Sequence, residues 1–395
     1  MHFQIVLLGG FPLTIVPFAI LLLLTKWRRL STKSLGPWVV LWAFLLLPFV
    51  NIGQMIGSGT NVLQHFARTY SLWFFACVML WSTISLNAKR ASIDDLLPAV
   101  AFGCLISIVV LCIAQVTVGH ITGSDVLYNP FGSHQYLYAL DMTTASAGGL
   151  VRAKGFFLEP SFCALVLLTL WLVCILRNYR VVATSIIAAL GIIATASVVG
   201  LLACAAFVVV FWATGRHRFW WGTLMPLLGV CALAGIIAFG SSSYMSRRLL
   251  EIQIPGTSGY RRVTAPLSMM RETLTFYPTG ILLGGADQYV ASFGVLHGAG
   301  VGLSVDNGIQ LLVFYFGWFG LAAVIALFCS AVVFLLRRDR QRALVAWYSL
   351  LALLFTGGVL VPEYVFLQIL VLQAGRKSRE TLTPGIAGAL SAIRR

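Results

Sequence analysis

Long apolar runs alternate with short polar connections from one end of the chain to the other. The runs fall at 5–24, 36–53, 70–86, 96–118, 157–176, 181–194, 198–214, 219–240, 309–336, 343–361 and 364–374. A helix of roughly 20 mostly apolar residues covers the hydrocarbon of a bilayer, and it satisfies its own backbone polar groups there. Each run is therefore expected to be a membrane-crossing helix. Two places depart from the simple pattern. The stretch 181–214 is short for two crossings, yet both flanks are basic, so a tight turn at Thr195, Ala196 and Ser197 is expected to split it. In 343–374, Gly357, Gly358 and Pro362 interrupt helical continuity, and a re-entrant hairpin competes there with two full spans. The expected fold is all-α, a polytopic transmembrane bundle of about 10–12 spans forming a single membrane domain over 1–395.

Two long polar connections remain, 119–155 and 241–308. Inside the second, Val263, Leu267, Met270, Leu274 and Tyr277 recur at helical spacing opposite Arg261, Thr264, Ser268, Arg271 and Thr275. That spacing predicts an amphipathic helix near 261–277.

Composition agrees with a membrane class: of 395 residues, 59% are hydrophobic and 10% charged, where soluble domains carry about 25% charged residues. The net charge of +15 would suit a nucleic-acid binder if it were spread over the chain, but it is one-sided. Alternate connections, including Lys26 to Lys33, Lys89–Arg90, Arg177–Arg180, Arg216–Arg218, Arg337–Arg342 and the tail from Arg376, hold nineteen basic residues against four acids. The other set holds eight of each. Lys and Arg concentrate on the cytoplasmic side of membrane proteins, so the N-terminus is expected outside and the C-terminus in the cytoplasm, and no nucleic acid is needed to explain the charge. The first run has no basic residues before it and is expected to stay as a helix rather than act as a signal peptide. All eight cysteines lie inside apolar runs and read as buried small hydrophobes. No metal-ligand spacing occurs, and no cofactor is expected.

The two long connections carry the polar chemistry. The first ends in Arg152, Lys154, Gly155, Glu159, Pro160 and Ser161 and runs straight into a span. Pro160 suits the first turn of that helix, which leaves Glu159 at its positive end. Glu159 is then either a plain helix-start acid or part of a carboxylate and cation cluster at the mouth of a cavity, since ionisable groups at membrane depth mark function. In the second connection, Arg261 and Arg271 project about 80° apart around a helix axis. With Arg262 they can touch lipid phosphates or clamp a diphosphate, because guanidinium forks match phosphate oxygens. Glycines follow at 280, 284 and 285, then His297, then Asp306 at the entry to the span at 309. Asp306 can cap that helix, act as a base, or do both.

Three patterns stand in order: Arg152 to Ser161, Arg261 to Gly285 with Pro278-Thr279-Gly280-Ile281, and Asp306-Asn307 followed by Phe316-Gly317 and Gly320. Together they resemble the O-antigen polymerase and ligase superfamily over the C-terminal two thirds of the chain. The chain is more similar to the Wzy-type exopolysaccharide polymerases, because the ligases usually have His where Asp306 stands. The resemblance implies a GT-C-like, metal-independent glycosyltransferase in the bacterial inner membrane, acting at the periplasmic face on undecaprenyl diphosphate-linked oligosaccharide. The polar connections would then be periplasmic loops, and a chain-length regulator is a possible partner. It further implies Arg152, Arg261 and Arg271, with neighbours Lys154 and Arg262, on the diphosphate side. Asp306 would be the base, with Glu159 and His297 as further candidates. An O-antigen ligase, which moves glycan onto lipid A core, would share these features. A transporter of the same lipid would place ionisable groups in mid-span and repeat its halves, neither of which is found here. A peptidoglycan glycosyltransferase would also use an outer-loop acid, but its other motifs are absent.

Overall fold

The computed structural model describes residues 6–7, 11–12, 36–55, 60–85, 91–122, 146–147, 150–155, 157, 160–214, 253–254, 260, 264–286, 288–290, 307–355 and 362–377. The expected span at 219–240 lies outside the described residues; of the one expected at 5–24 only 6–7 and 11–12 are described, and they pair as short antiparallel strands where a helix was expected. Ten α-helices occur among the described residues: α1 Gly36–Leu46, α2 Thr60–Ser85, α3 Ala91–Thr122, α4 Pro160–Leu176, α5 Val181–Thr195, α6 Val198–Thr214, α7 Thr264–Phe276, α8 Gly308–Leu336, α9 Arg340–Phe355 and α10 Pro362–Lys377. A 3-10 segment, Leu47–Met55, continues α1. Among the described residues the strands are two antiparallel pairs of two residues, Val6–Leu7 with Phe11–Pro12 and Ser146–Ala147 with Leu150–Val151.

Helix α4 is the axis of the larger core. It is apolar all round and buried all round, as a helix with no polar stripe must be when protein surrounds it. Helices α3, α5, α6 and α10 pack on it. Two polar pairs lie in it: Thr169 Oγ1 lies 2.6 Å from the Tyr348 hydroxyl of α9, and Trp171 Nε1 donates to Ser185 Oγ of α5 at 3.1 Å. The turn between α5 and α6 falls at Ala196, which is left-handed with φ 44° and donates its N–H to the Ile193 carbonyl. This is the split expected at 195–197.

Outward faces are apolar too. Val100 and Val110 of α3, Ile186 and Leu190 of α5, and Ile325 and Phe328 of α8 are exposed large hydrophobes, which suits a surface solvated by lipid tails rather than water. The segments Leu96–Ile121 and Gly308–Leu336 are long and apolar enough to cross a membrane, and shorter apolar helices accompany them. The molecule is a helical membrane protein. That setting corrects the reading of the cysteines. Cys112, Cys163, Cys174 and Cys204 are buried, but Cys104 and Cys329 are exposed, because a helix in lipid turns apolar residues outward as well as inward.

Basic connections gather at one end of the bundle. Arg177 Nη2 donates to the Gln373 carbonyl of α10 at 2.8 Å, Arg180 lies over the Phe102 ring of α3, and Arg340 over the Phe211 ring of α6. Asp339 begins α9, taking the Arg342 N–H on Oδ1 and the Arg342 guanidinium at 3.3 Å on Oδ2.

Several helices differ from expectation in extent, and α1, expected over 36–53, gives way to the 3-10 segment at Leu47. Helix α2 starts at Thr60, about three turns before the apolar run, in a stretch where Gln64, His65 and Arg68 are exposed. The run at 309–336, expected as one span, is two segments that meet at Gly317, whose backbone (φ 53°, ψ −129°) is not helical. A Cβ on Gly320 would collide with the Leu312 carbonyl. Those residues lie eight apart, about 12 Å in a straight helix, so the chain bends sharply. Residues 313–316 are buried, whereas Trp318 and Phe319 begin an exposed stretch. The spanning helix is therefore 318–336, about 28 Å long at 1.5 Å per residue, and 308–316 is a short buried arm.

Candidate active site

The segment Arg152 to Gly155 is held by one buried amide. Gln115 of α3, fully buried, accepts the Lys154 and Gly155 N–H groups on Oε1 at 3.1 and 2.9 Å and donates from Nε2 to the Gly155 carbonyl at 2.8 Å. The Ala153 N–H donates to the Ala194 carbonyl, and Arg152 Nε reaches the Thr195 carbonyl at 3.4 Å. Both carbonyls belong to the last turn of α5, where unpaired acceptors and the negative end of the helix dipole attract a cation. Lys154 is buried as well. Helix α4 then starts at Pro160, the position expected for it. Glu159 lies outside the described residues.

The second half of the site is a joint between α7, the turn that follows it and the bend in α8. Helix α7 buries Ala265, Met269 and Thr273 against the short arm of α8. The apolar stripe read from the sequence is split: Leu267 is 60% exposed and Tyr277 40%, while Met270 is partly buried against the same core as Met269. A small Ala, a flexible Met and a Thr whose hydroxyl bonds the Met269 carbonyl at 2.9 Å allow closer packing than a Leu-rich ridge. The polar stripe does face outward, with Ser268, Arg271 and Thr275 exposed.

After α7, residues 277–285 fold onto the bend. The Ile281 N–H donates to the Phe314 carbonyl at 2.6 Å, and the Trp318 N–H donates to the Pro278 carbonyl at 2.9 Å. These are backbone groups that the break in α8 sets free. Such contact needs both chains bare of side chains: a Cβ on Gly317 would collide with the Pro278 carbonyl, and one on Gly280 would come within 2.5 Å of the Tyr315 backbone. Both glycines have positive φ, where a side chain is disfavoured in any case. The other side of the turn is held by Asn51, whose Nδ2 donates to the Thr279 carbonyl at 2.9 Å while its Oδ1 accepts from Thr279 Oγ1 at 2.8 Å.

The arm of α8 begins with Asn307, whose Oδ1 accepts the Ile309 and Gln310 N–H groups. The capping role considered for Asp306 therefore falls to Asn307, as its short amide side chain equally allows. One turn on, Gln310 is buried against α7. Its Nε2 lies 3.5 Å from Met269 Sδ, and its Oε1 has no partner among the described residues. Beside them, burial pushes the Tyr289 phenol above its usual range, and the Thr273 hydroxyl at 3.0 Å opposes that shift.

Three of the expected site residues are thus described. Arg152 and Lys154 share the segment held by Gln115, and Arg271 stands on the exposed stripe of α7. Asp306, Glu159, His297, Arg261 and Arg262 lie outside the described residues. The sequence reading missed Gln115, Asn51 and Asn307. An isolated amide in an apolar run was the available signal for the first two, since polar side chains in membrane helices bind neighbouring segments.

The family model described as "WcaD colanic acid polymerase" matches residues 1–377. The chain belongs to that family. The match runs through every described helix and stops at the last residue of α10, so both halves of the site are features of a WcaD-family chain. A relative from Escherichia coli (strain K12), the "Putative colanic acid polymerase", is 28% identical over 374 residues, covering 91% of this chain and 89% of its own length. No solved structure matches. The family is one of polysaccharide polymerases, and hence of glycosyl-transferring enzymes.

Proposed function

We propose that this chain polymerises an exopolysaccharide of the colanic acid class. It joins undecaprenyl diphosphate-linked oligosaccharide repeats at the periplasmic face of the inner membrane. The donor is activated by its lipid diphosphate, because no nucleotide sugar is available outside the cytoplasm. A hydroxyl of the acceptor repeat attacks the anomeric carbon of the donor. The new glycosidic C–O bond forms, the C–O bond to the diphosphate breaks, and the lipid diphosphate leaves as the anion. Asp306 takes the proton of the attacking hydroxyl, with Glu159 and His297 as the other candidate bases. Arg261, Arg262 and Arg271 stabilise the charge that grows on the diphosphate, without a metal, in a GT-C-type reaction. Arg152 and Lys154 form the second cationic group. Their first task is the end of α5, where Arg152 already meets the Thr195 carbonyl.

The observation that carries this reading is the joint. It packs the helix bearing Arg271 on the arm that Asp306 precedes, and the cap of that arm is Asn307, so the cap does not call for Asp306. The test is polymerisation of purified lipid-linked repeat by the purified protein. Wild type is expected to give a ladder of chain lengths. Arg261→Ala and Arg271→Ala are each expected to lower kcat by about 10²–10³ while the protein stays inserted and stable. Wild-type chain lengths from Arg261→Ala would show the clamp to be wrong. Unattached full-length polymer accumulating in cells that lack the gene would point to a ligase instead.

A further inference from the structure

Asn51 stands far from every motif of the site in sequence, 228 residues from Thr279, yet it makes two reciprocal hydrogen bonds to that residue. Its own side chain is buried at 6% exposure, and both halves of the amide are satisfied by one partner, the exposed Thr279. Thr279 lies between Pro278, whose carbonyl takes the Trp318 N–H, and Ile281, whose N–H reaches the Phe314 carbonyl. Those two backbone bonds bridge the bend of α8. On the N-terminal side, the Gly280 N–H returns to the Tyr277 carbonyl and the Tyr277 N–H to Thr273, which ties the turn to the end of α7. Three elements therefore meet at Thr279: the 3-10 segment Leu47–Met55, the helix carrying Arg271, and the arm that follows Asp306.

We infer that Asn51 and Thr279 are positioning residues for glycosyl transfer, fixing the angle between the helix that bears Arg271 and the arm that Asp306 precedes in sequence. The inference rests on the polymerase reading and extends the site into the N-terminal quarter of the chain. The role asked of them is exerted through the turn, because a 1 Å displacement between catalytic groups can cost on the order of 10²-fold in rate, and Asn51 ties that turn to the 3-10 segment.

The test compares Thr279→Val, which removes the hydroxyl at nearly constant shape, with Thr279→Ser, which keeps it, and with Asn51→Leu. Two quantities are measured on full-length protein in lipid: kcat and KM per folded molecule on lipid-linked repeat, and hydrogen exchange at the Ile281 and Trp318 amides. Thr279→Val and Asn51→Leu are expected to lower kcat about tenfold or more while KM changes less than about twofold, and to speed exchange at both amides. The double variant is expected to be no worse than either single one, and Thr279→Ser to recover most of the rate. A purely structural contact would lower the amount of folded protein and leave kcat per molecule alone; that result overturns the inference. Unchanged exchange at Ile281 and Trp318 with an active wild type also overturns it, and leaves the polymerase reading standing. Faster exchange in Thr279→Val alongside a wild type inert towards lipid-linked repeat upholds the joint and overturns the polymerase reading.

Discussion

Three residues set the backbone around the site, and each is an amide. Gln115 and Asn307 hold backbone N–H groups on the amide oxygen, and Gln115 and Asn51 hold a backbone carbonyl with the amide nitrogen, the Asn51 oxygen taking the Thr279 hydroxyl instead. An amide is suited to this because it both donates and accepts without the cost of burying a charge. Gln115 is the clearest case, since three backbone groups of Lys154 and Gly155 depend on it. Gln115→Leu keeps the volume but strands those groups, and each stranded buried group costs about 1–3 kcal/mol. The variant is expected to lose on the order of 3 kcal/mol of stability and to release the Arg152 segment from the end of α5. Thermal unfolding in detergent, followed by tryptophan fluorescence, would show it; a wild-type midpoint would mean that the segment is held by other contacts. Both Gln115 and Asn51 were visible in the sequence as lone amides in apolar runs. Their partners were not, because nothing in a run of apolar letters says which distant backbone a side chain will meet.

At the level of elements, the apolar pattern located helices well where lipid or core surrounds them evenly, as in α4, α5 and α6, and poorly where a helix bends. The run at 309–336 reads as one unbroken span, since Gly317 sits among Tyr315, Phe316, Trp318 and Phe319, all compatible with a membrane helix. The bend is made by contact with a second motif nearly forty residues earlier, so it is a tertiary feature with only a glycine as its trace. The same limit applies to α7, whose apolar letters at Leu267 and Tyr277 stay exposed while Ala265, Met269 and Thr273 make the contact. A contrast of two glycines tests the bend. Gly317→Ala puts a methyl group into the Pro278 carbonyl in a left-handed conformation, and is expected to abolish both folding yield and polymer. Gly103→Ala on α3 meets nothing within 4 Å and is expected to be neutral or to stabilise by about 0.5–1 kcal/mol. Comparing monodisperse protein recovered by size exclusion checks both. Full recovery of Gly317→Ala would mean that α8 can straighten without loss.

For the whole molecule, the question is which end of the bundle faces the cell interior, because the same helices inverted would put the candidate site in the cytoplasm. Two features point the same way. The sequence collects the entire excess of +15 on alternate connections, and the fold brings several of those connections together at one end, with Arg177 on α10, Arg180 on α3 and Arg340 on α6. The turn at Ala196, the Arg152 segment and Gln115 meet at the other end of α5 and carry no such excess. A membrane potential and anionic inner-leaflet lipids hold Lys and Arg on the cytoplasmic side, so the Arg177 end is expected inside and the Arg152 end outside. Alkaline phosphatase, which folds only outside the cytoplasm, should be active when fused after Ser258, ahead of α7, and inactive when fused after Arg338 in the turn between α8 and α9. A fluorescent protein that matures only inside should give the reverse. Phosphatase activity at Arg338 with none at Ser258 would turn the bundle over. Arg271 and Asp306 would then face a compartment supplied with nucleotide sugars, and the argument for a lipid diphosphate donor would lose its ground.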